Sequence, residues 1–313
     1  MIPAASRPVD VFGLGAITLD FIGSVDSWPG PGTKYKLKDF VIEGGGLIGN
    51  ALTAVARLGG KASIAGKLGF SMTAEMALAA LSDEGIDTFN IIREKGCEPV
   101  RSLILTNVIG GERSIYFSRK NVIYPDPREF PDQNWIKKIN VLLLDHGTGK
   151  AGLRAARMAR KQGIPVVIDA ERMEKDIDLL IESSDHIVVS REFAYLFTGK
   201  KNEIQMLKAL QRAKGQVIIV TRGNRGVIGK DASGIFEIPS FKVNVVDTTG
   251  SGDVFHGVYA YGIARGWETR KSCIYANAAA AMSTTGTGGR EAAPSLGKLK
   301  KFIKSQSQMA AKL

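Results

Sequence analysis

From residue 141 onward, short apolar runs alternate with longer amphipathic stretches. The apolar runs lie at 141–144, 165–168, 187–189 and 217–220. Helical periodicity is found near 151–162, 174–182, 191–198 and 203–214. Short β-branched runs separated by helices are typical of a parallel sheet covered by helices on both faces. We therefore predict a three-layer α/β/α fold with a mainly parallel central sheet.

A polar residue follows or ends each of these runs, namely Asp145, Asp169, Ser190 or Thr221. The carboxyl ends of parallel strands meet at one edge of a sheet, where open α/β folds bind their ligands. These four side chains therefore predict the edge at which a site lies.

The N-terminal third has a different pattern. A first strand is predicted at 9–14, and helix 47–58, strand 62–66 and helix 72–84 continue the α/β pattern. Residues 16–45 are rich in turns, and 98–120 resemble a β-hairpin around Gly110 and Gly111. We expect these two segments to form a small projecting β-sheet on a single domain that spans 1–313, with a last helix after Pro294.

The stretch "DTTGSGD" at 247–253 lies between an alternating apolar run at 241–246, which predicts a strand, and a helix-like run from 254. Free backbone N–H groups at a helix N-terminus, with the positive end of the helix dipole, bind anions. Gly250, Ser251 and Gly252 would supply these amides, since glycine lets the main chain approach oxygen atoms. "TRGNRG" at 221–226 and "EGGGLIGN" at 43–50 are two further glycine turns.

Asp253 is a carboxylate beside this predicted anion site, where its charge would repel the anion. Removal of a proton is a chemical reason to place it there. Phosphoryl transfer to a hydroxyl needs this pairing of a base with anion-binding amides. The alternative is that Asp253 only begins a helix and Asp247 only caps a strand.

Composition narrows the possible partners. With 313 residues, 44% of them hydrophobic, the chain can bury a large core, but it has no apolar run of membrane-spanning length and no secretory h-region. We expect a cytoplasmic protein with reduced Cys97 and Cys273. The net charge of +11 is spread along the chain, which favours a solvated surface, or attraction of an anionic substrate, over nucleic-acid binding.

"DTTGSGDVFHG" resembles the C-terminal motif of the ribokinase-like (PfkB-type) carbohydrate kinases, and the similarity extends over most of the chain. "GLGAITLDFIG" and "GGGLIGNALTAVARLGG" resemble the family's sugar-binding segments, while "VTRGNRGV" and "ANAAAAMSTTGTGGR" resemble its nucleotide-binding ones. The resemblance implies an ATP-dependent kinase with Mg²⁺, a β-sheet lid over the sugar and a homodimer formed through the lid. Within the family, the sequence most resembles the ketohexokinase and sulfofructose kinase branch.

The resemblance also implies a role for individual residues. Asp253 would be the general base, and the amides of 250–252 the anion hole. The implied sugar contacts are Asp20, Gly45, Gly46 and Asn50. The implied nucleotide contacts are Thr221, Gly223, Gly226, Asn277, Gly288 and Arg290. The alternative for Arg290 is that it forms a surface ion pair. A monovalent cation such as K⁺ is implied near Asp247.

One motif departs from the family. Many members carry N-x-x-E for magnesium, whereas this chain has Ser190 and Phe193 at those two positions. Glu192 lies one position away and would reach the metal through water. The alternative is that Glu192 is only a residue at a helix N-terminus.

The sequence predicts the substrate less specifically than it predicts the reaction. Lys34, Arg101, Arg113 and Arg119 would face an anionic group from the lid, although exposed edge strands often carry such charges. His146 would bond a sugar hydroxyl or serve a structural role, and no arginine follows Leu144 as expected for a sulfonate. We predict a sugar, in particular a ketose. A nucleoside kinase of the same family and a non-catalytic binding protein are the alternatives.

Overall fold

The structure is a computed structural model that describes residues 8–109, 112–129, 136–286 and 288–310. Its strands are β1 (Val9–Leu14), β2 (Thr18–Val25), β3 (Phe40–Gly45), β4 (Ala62–Leu68), β5 (Asp87–Arg93), β6 (Val100–Asn107), β7 (Arg113–Ser118), β8 (Ile139–Asp145), β9 (Val166–Ala170), β10 (His186–Ser190), β11 (Val217–Thr221), β12 (Val227–Asp231) and β13 (Gly234–Ile238). Its helices are α1 (Leu47–Arg57), α2 (Met72–Asp83), α3 (Gly149–Lys161), α4 (Ile177–Glu182), α5 (Arg191–Thr198), α6 (Glu203–Leu210), α7 (Ser251–Ala264), α8 (Thr269–Ser283) and α9 (Leu296–Ala310).

A nine-stranded sheet in the order β13-β12-β11-β10-β9-β8-β1-β4-β5 forms the centre of the molecule. The strands from β11 to β5 pair in parallel, whereas β12 pairs antiparallel with both β11 and β13. The buried side chains alternate between two hydrophobic clusters, so that Leu143 joins one and its neighbours Leu142 and Leu144 join the other. Helices cover both faces, and the predicted α/β/α architecture is confirmed.

A second sheet has four strands in the order β3-β2-β6-β7. They come from the two segments expected to project from the main sheet, and β6 and β7 pair as the predicted hairpin. Gly110 and Gly111, at which the turn was expected, lie outside the described residues. We call this four-stranded sheet the small sheet.

The predicted strand at 241–246 is wrong, because this segment is an irregular loop. The N–H groups of Val246 and Asp247 donate to the carbonyl of Thr284 at the end of α8, at 2.7 and 3.2 Å, instead of to a neighbouring strand. Val245 and Val246 are more than half exposed, whereas Phe241 packs against the core.

Two predicted helices are shorter than expected. The helix near 174–182 begins only at Ile177, and the helix predicted to reach 214 ends at Leu210. There the side-chain oxygen of Gln216 accepts from the N–H groups of Arg212 and Ala213, both at 2.8 Å, which replaces a further helical turn. Among the described helices, none is long and apolar enough to cross a membrane.

Candidate active site

A cleft of about 510 Å³ lies between the small sheet and the carboxyl edge of the large sheet. Asp20 and Ser102 line it from the small sheet, Asp145 and Thr221 from the ends of β8 and β11, and Asp253 from α7. The topology thus brings residues distant in sequence to the edge where parallel sheets bind ligands.

The N-terminus of α7 forms part of the cleft wall, with Gly250, Ser251 and Gly252 exposed to it. Gly250 has a φ of 69°, in the left-handed region that glycine adopts readily. A Cβ on this residue would lie 2.6 Å from the Cα of Gly289. Bare backbone is therefore required at the start of the helix, where its free N–H groups can bind an anion.

Asp253 lies in the first turn of α7 and is only 8% exposed. Its Oδ2 accepts a hydrogen bond from Nδ2 of Asn50, at 2.8 Å. The Oδ1 of Asn50 accepts in turn from Nε of Arg290, at 3.0 Å. Because the amide has a fixed donor and acceptor, the arginine orients Asn50 and Asn50 orients the carboxylate.

Burial raises the pKa of Asp253 well above its usual range, and the negative charges of Glu171 and Asp20 raise it further. The bond from Asn50 and the charge of Arg290 act in the opposite direction. A raised pKa makes the ionised carboxylate a stronger proton acceptor, which suits a general base.

Asp20 faces the cleft from β2 and is also buried. Burial raises its pKa, while the hydroxyl of Ser102 and the charge of Arg290 lower it. A Cβ on Gly45 would lie 1.8 Å from Oδ2 of Asp20. This glycine leaves room for the carboxylate, although Gly45 itself is not among the residues that line the cleft.

Asp247 organises the loop before α7. Its Oδ1 accepts from the N–H and the hydroxyl of Thr249, at 2.9 and 2.7 Å, and its Oδ2 accepts from the N–H of Gly288 at 2.9 Å. Arg113 of β7 reaches the same loop and donates to the hydroxyls of Thr248 and Thr249, at 3.0 and 2.9 Å. The small sheet therefore places a guanidinium beside the amides of α7. The monovalent cation expected near Asp247 remains a prediction.

His146 follows β8 and lines the cleft. Burial lowers its pKa to about 4, so the ring is neutral near pH 7. The N–H of Glu171 donates to its Nδ1 at 3.4 Å, which assigns the remaining proton to Nε2. Nε2 has no partner among the described residues and is buried.

The nucleotide-binding and magnesium predictions concern one end of the cleft, where Thr221, Gly223, Ser190 and Glu192 are found. The hydroxyl of Ser190 accepts from the N–H of Phe193, at 3.1 Å, and so caps α5. Phe193 is a buried core residue, which excludes the family's usual carboxylate at that position.

The acidic side chains at this end of the cleft are the groups that could hold magnesium. The described part of the chain contains no group of three or more acidic, histidine or cysteine side chains arranged to hold a metal ion. Magnesium is commonly held by one or two carboxylates together with substrate phosphates and water. Glu192 and Glu171, both on the cleft wall, fit that arrangement.

Several predicted contacts lie away from the cleft wall. Lys34 is exposed in the loop before β3. Nδ2 of Asn277 donates to the carbonyl of Pro239 at 2.8 Å, and Gly226 supports the turn after β11 by donating to Gly223 at 3.0 Å. Arg290 is not a surface residue but is 5% exposed and bonded to Asn50. Ligand contact by these residues and by Gly288 remains a prediction.

Sequence reasoning did not single out several residues that line the cleft, among them Tyr124, Glu171 and Arg172. Glu171 and Arg172 directly follow β9, and they occupy the ligand-binding edge by the same rule that identified Asp145. The sequence position was therefore sufficient to find these two. Tyr124 lies in an irregular segment that carries no such signal.

Comparison with known proteins identifies the same family that the sequence motifs resemble. Residues 9–296 match the family model described as pfkB family carbohydrate kinase. The chain is 23% identical to 5-dehydro-2-deoxygluconokinase of Clostridium perfringens, covering 96% of this chain and 95% of that protein. It is 27% identical to ribokinase of Haemophilus influenzae, with 93% and 97% covered.

Solved structures with the same fold include a putative ribokinase from Agrobacterium tumefaciens, with a TM-score of 0.89, 27% identity and 95% and 98% of the two chains covered. Another is a putative ribokinase II from E. coli in complex with ATP and Mg²⁺, with a TM-score of 0.82 at 20% identity and 95% and 99% covered. The narrower likeness to the ketohexokinase branch stays a prediction. By its family match, its ribokinase-like fold and its cleft, the chain belongs to the pfkB family of carbohydrate kinases.

Proposed function

We propose that this protein is an ATP-dependent kinase that phosphorylates a hydroxyl of a sugar or sugar derivative, with Asp253 as the general base. One observation carries the proposal: a buried, oriented carboxylate stands in the first turn of α7 beside free backbone amides, within a cleft that is also lined by other polar side chains. A base next to an anion site is what phosphoryl transfer to an alcohol requires.

In this mechanism, Asp253 accepts the proton of the attacking hydroxyl as the γ-phosphoryl group is transferred in line. The amides of Gly250, Ser251 and Gly252 stabilise negative charge on the transferring group. Arg113 adds a guanidinium from the small sheet. The small sheet therefore acts as a lid, and the site is complete only when this lid is closed. Asn50 keeps the carboxylate turned toward the hydroxyl.

Asp20, Gly46 and Asn50 hold the sugar, and Nε2–H of His146 donates to one of its oxygen atoms. ATP lies toward Thr221 and Gly223, with Glu192 and Glu171 able to hold an accompanying magnesium ion through water. Bound magnesium would neutralise phosphate charge during transfer.

A ketose is the substrate that we favour, in a cytoplasmic enzyme that dimerises through the small sheet. A nucleoside substrate is the second candidate. Phe117 of β7 lines the cleft and offers an aromatic face to a base. A non-catalytic binding protein has less support, because simple binding gives no reason to hold Asp253 beside an anion site.

The test is ATP-dependent phosphorylation across a panel of ketoses, aldoses, sugar acids, sulfosugars and nucleosides, with wild type and Asp253→Asn in parallel. We expect turnover of a sugar, best of a ketose, and its loss in the variant. Turnover restricted to nucleosides would favour the second candidate. ATP binding without turnover on any acceptor would contradict the proposed activity.

A further inference from the structure

Glu203, the first residue of α6, forms ion pairs with three arginines of the described chain. Its Oε2 accepts from Nη1 of Arg222 at 3.0 Å, and its Oε1 accepts from Nη2 of Arg225 at 2.8 Å. Nε of Arg191 lies 3.3 Å from the same Oε1. The side chain of Glu203 is only 17% exposed, so one carboxylate that is largely withdrawn from water joins three guanidinium groups.

These arginines belong to two separate loops. Arg222 and Arg225 lie in the turn between β11 and β12, and Arg191 is the first residue of α5. Both loops line the same end of the cleft, which we call the nucleotide end, with Ser190, Glu192, Thr221 and Gly223. Glu203 and its three arginines are not among the lining residues. They therefore connect the two walls of the nucleotide end from behind.

Arg222 holds the turn after β11 from within. Its side chain is 8% exposed, and Nη2 donates to the carbonyls of Arg225 and Val227, both at 3.3 Å. Nη2 also lies 3.0 Å from a carboxyl oxygen of Glu237 in β13. A guanidinium presents its donors in a rigid planar fork. Arg222 therefore fixes the carbonyls of the turn relative to the carboxylate of Glu203.

The carboxylate of Glu203 is ionised near pH 7. Burial alone would raise its pKa, but the hydrogen bonds and positive charges of Arg222 and Arg225 outweigh burial and lower the pKa below its usual value. Loss of the negative charge would leave guanidinium groups next to one another, and like charges repel. The charge of Glu203 is thus what allows three arginines to pack between the two loops.

We propose that Glu203 and Arg222 position the two loops at the nucleotide end of the cleft and thereby set the affinity for ATP. This inference rests on the proposed function, in which ATP lies toward Thr221 and Gly223. Glu203 and Arg222 are positioning residues, because they hold the loops that line the cleft and do not line it themselves. Backbone that is already held in place need not be ordered when a ligand binds, which lowers the cost of binding.

The test measures ATP binding by isothermal titration calorimetry, with magnesium present, for wild type, Glu203→Gln and Arg222→Lys. We expect the Kd for ATP to rise about tenfold in each variant, which corresponds to the loss of one hydrogen bond to a charged group. In turnover, the KM for ATP should rise while kcat and the KM for the sugar stay unchanged. The sugar contacts Asp20 and Asn50 lie outside these loops.

The two variants separate positioning from charge. Glu203→Gln removes a negative charge near the expected phosphates, so a purely electrostatic role predicts tighter ATP binding. Arg222→Lys keeps the charge and loses only the fork of donors, so the same role predicts no change. Tighter or unchanged ATP binding in either variant would overturn the inference.

Asp231→Asn is the matched control. Asp231 is also a mostly buried carboxylate, 11% exposed, and it accepts from Nε of Arg270 at 3.2 Å. It lies at the opposite end of β12 from the turn, so this variant loses a similar ion pair and should keep the wild-type Kd for ATP. A rise as large as that of Glu203→Gln would overturn the inference, because the effect would then not depend on the nucleotide end. A wild-type protein that binds no ATP would instead refute the proposed function, so the two failures are distinguishable.

Discussion

At the scale of single residues, the site depends on side chains that hold other side chains. Arg290 orients Asn50, and Asn50 orients Asp253. The motif containing Asp253 can be identified from sequence, because glycines and a carboxylate at a helix start have a physical reason to occur together. The role of Arg290 cannot, since a bond to a residue 240 positions away exists only after folding.

Gly45→Ala tests the space reserved for Asp20. The new methyl group would lie 1.8 Å from Oδ2 of Asp20, so the carboxylate must move. We expect the KM for the sugar to rise about tenfold, a loss typical of one hydrogen bond to a charged group, with the KM for ATP unchanged. Steady-state kinetics measure both constants. Gly30→Ala, where the methyl group meets open space, is the control, and an unchanged sugar KM in Gly45→Ala would count against Asp20 as a sugar contact.

Asp253→Asn should stabilise the fold while it removes activity. The pKa of Asp253 is raised in the folded state, so the folded protein binds more protons than the unfolded chain above about pH 4, and ionisation lowers stability as the pH rises. We expect the variant to be more stable by about 1 kcal/mol or more at pH 8 and equal to wild type near pH 4. Denaturant unfolding at both pH values measures this, and a less stable variant at pH 8 would contradict it.

At the scale of elements, the parallel strands and most helices follow from hydrophobic periodicity. The loop at 241–246 has the alternating pattern of a strand but pairs with no strand among the described residues, and backbone bonds to Thr284 hold it instead. Local pattern cannot reveal this, because strand formation depends on a partner elsewhere in the chain. The small sheet was recognisable from its turn-rich composition, but the contact of Arg113 with the loop before α7 was not.

Arg113→Gln tests whether the small sheet takes part in catalysis. The variant loses the guanidinium that donates to Thr248 and Thr249 beside the amides of α7. We expect kcat/KM for the sugar to fall about a hundredfold, the range for removing one charge-stabilising donor. Arg128→Gln, which changes an exposed arginine bonded to Asp126, should leave kcat/KM unchanged. Equal effects of the two variants would remove Arg113 from the mechanism.

At the scale of the whole molecule, the small sheet exposes large apolar side chains, including Phe40, Val41 and Tyr116. Exposed apolar patches of this kind commonly mark an interface. The sequence predicts such strands but not what covers them. The spread of the positive charge, in contrast, was read directly from the sequence, since it does not depend on packing.

We expect a homodimer formed through the small sheet, with twice the 33.6 kDa mass of one chain. Sedimentation equilibrium measures this mass. Tyr116→Asp on β7 should shift the equilibrium toward the monomer, because it introduces a charge into the proposed interface. Phe89→Asp, at an exposed position of the large sheet, is the control. A monomeric wild-type protein would contradict the proposed assembly.

The central claim is that Asp253 removes the proton of the sugar hydroxyl, and single-turnover phosphoryl transfer tests it most directly. Wild type and Asp253→Asn are each mixed with saturating sugar and ATP, after the binding of both ligands has been measured. We predict unchanged binding and a transfer rate lower by about a hundredfold to ten-thousandfold, the range for loss of a general base. A wild-type transfer rate in the variant would contradict the claim.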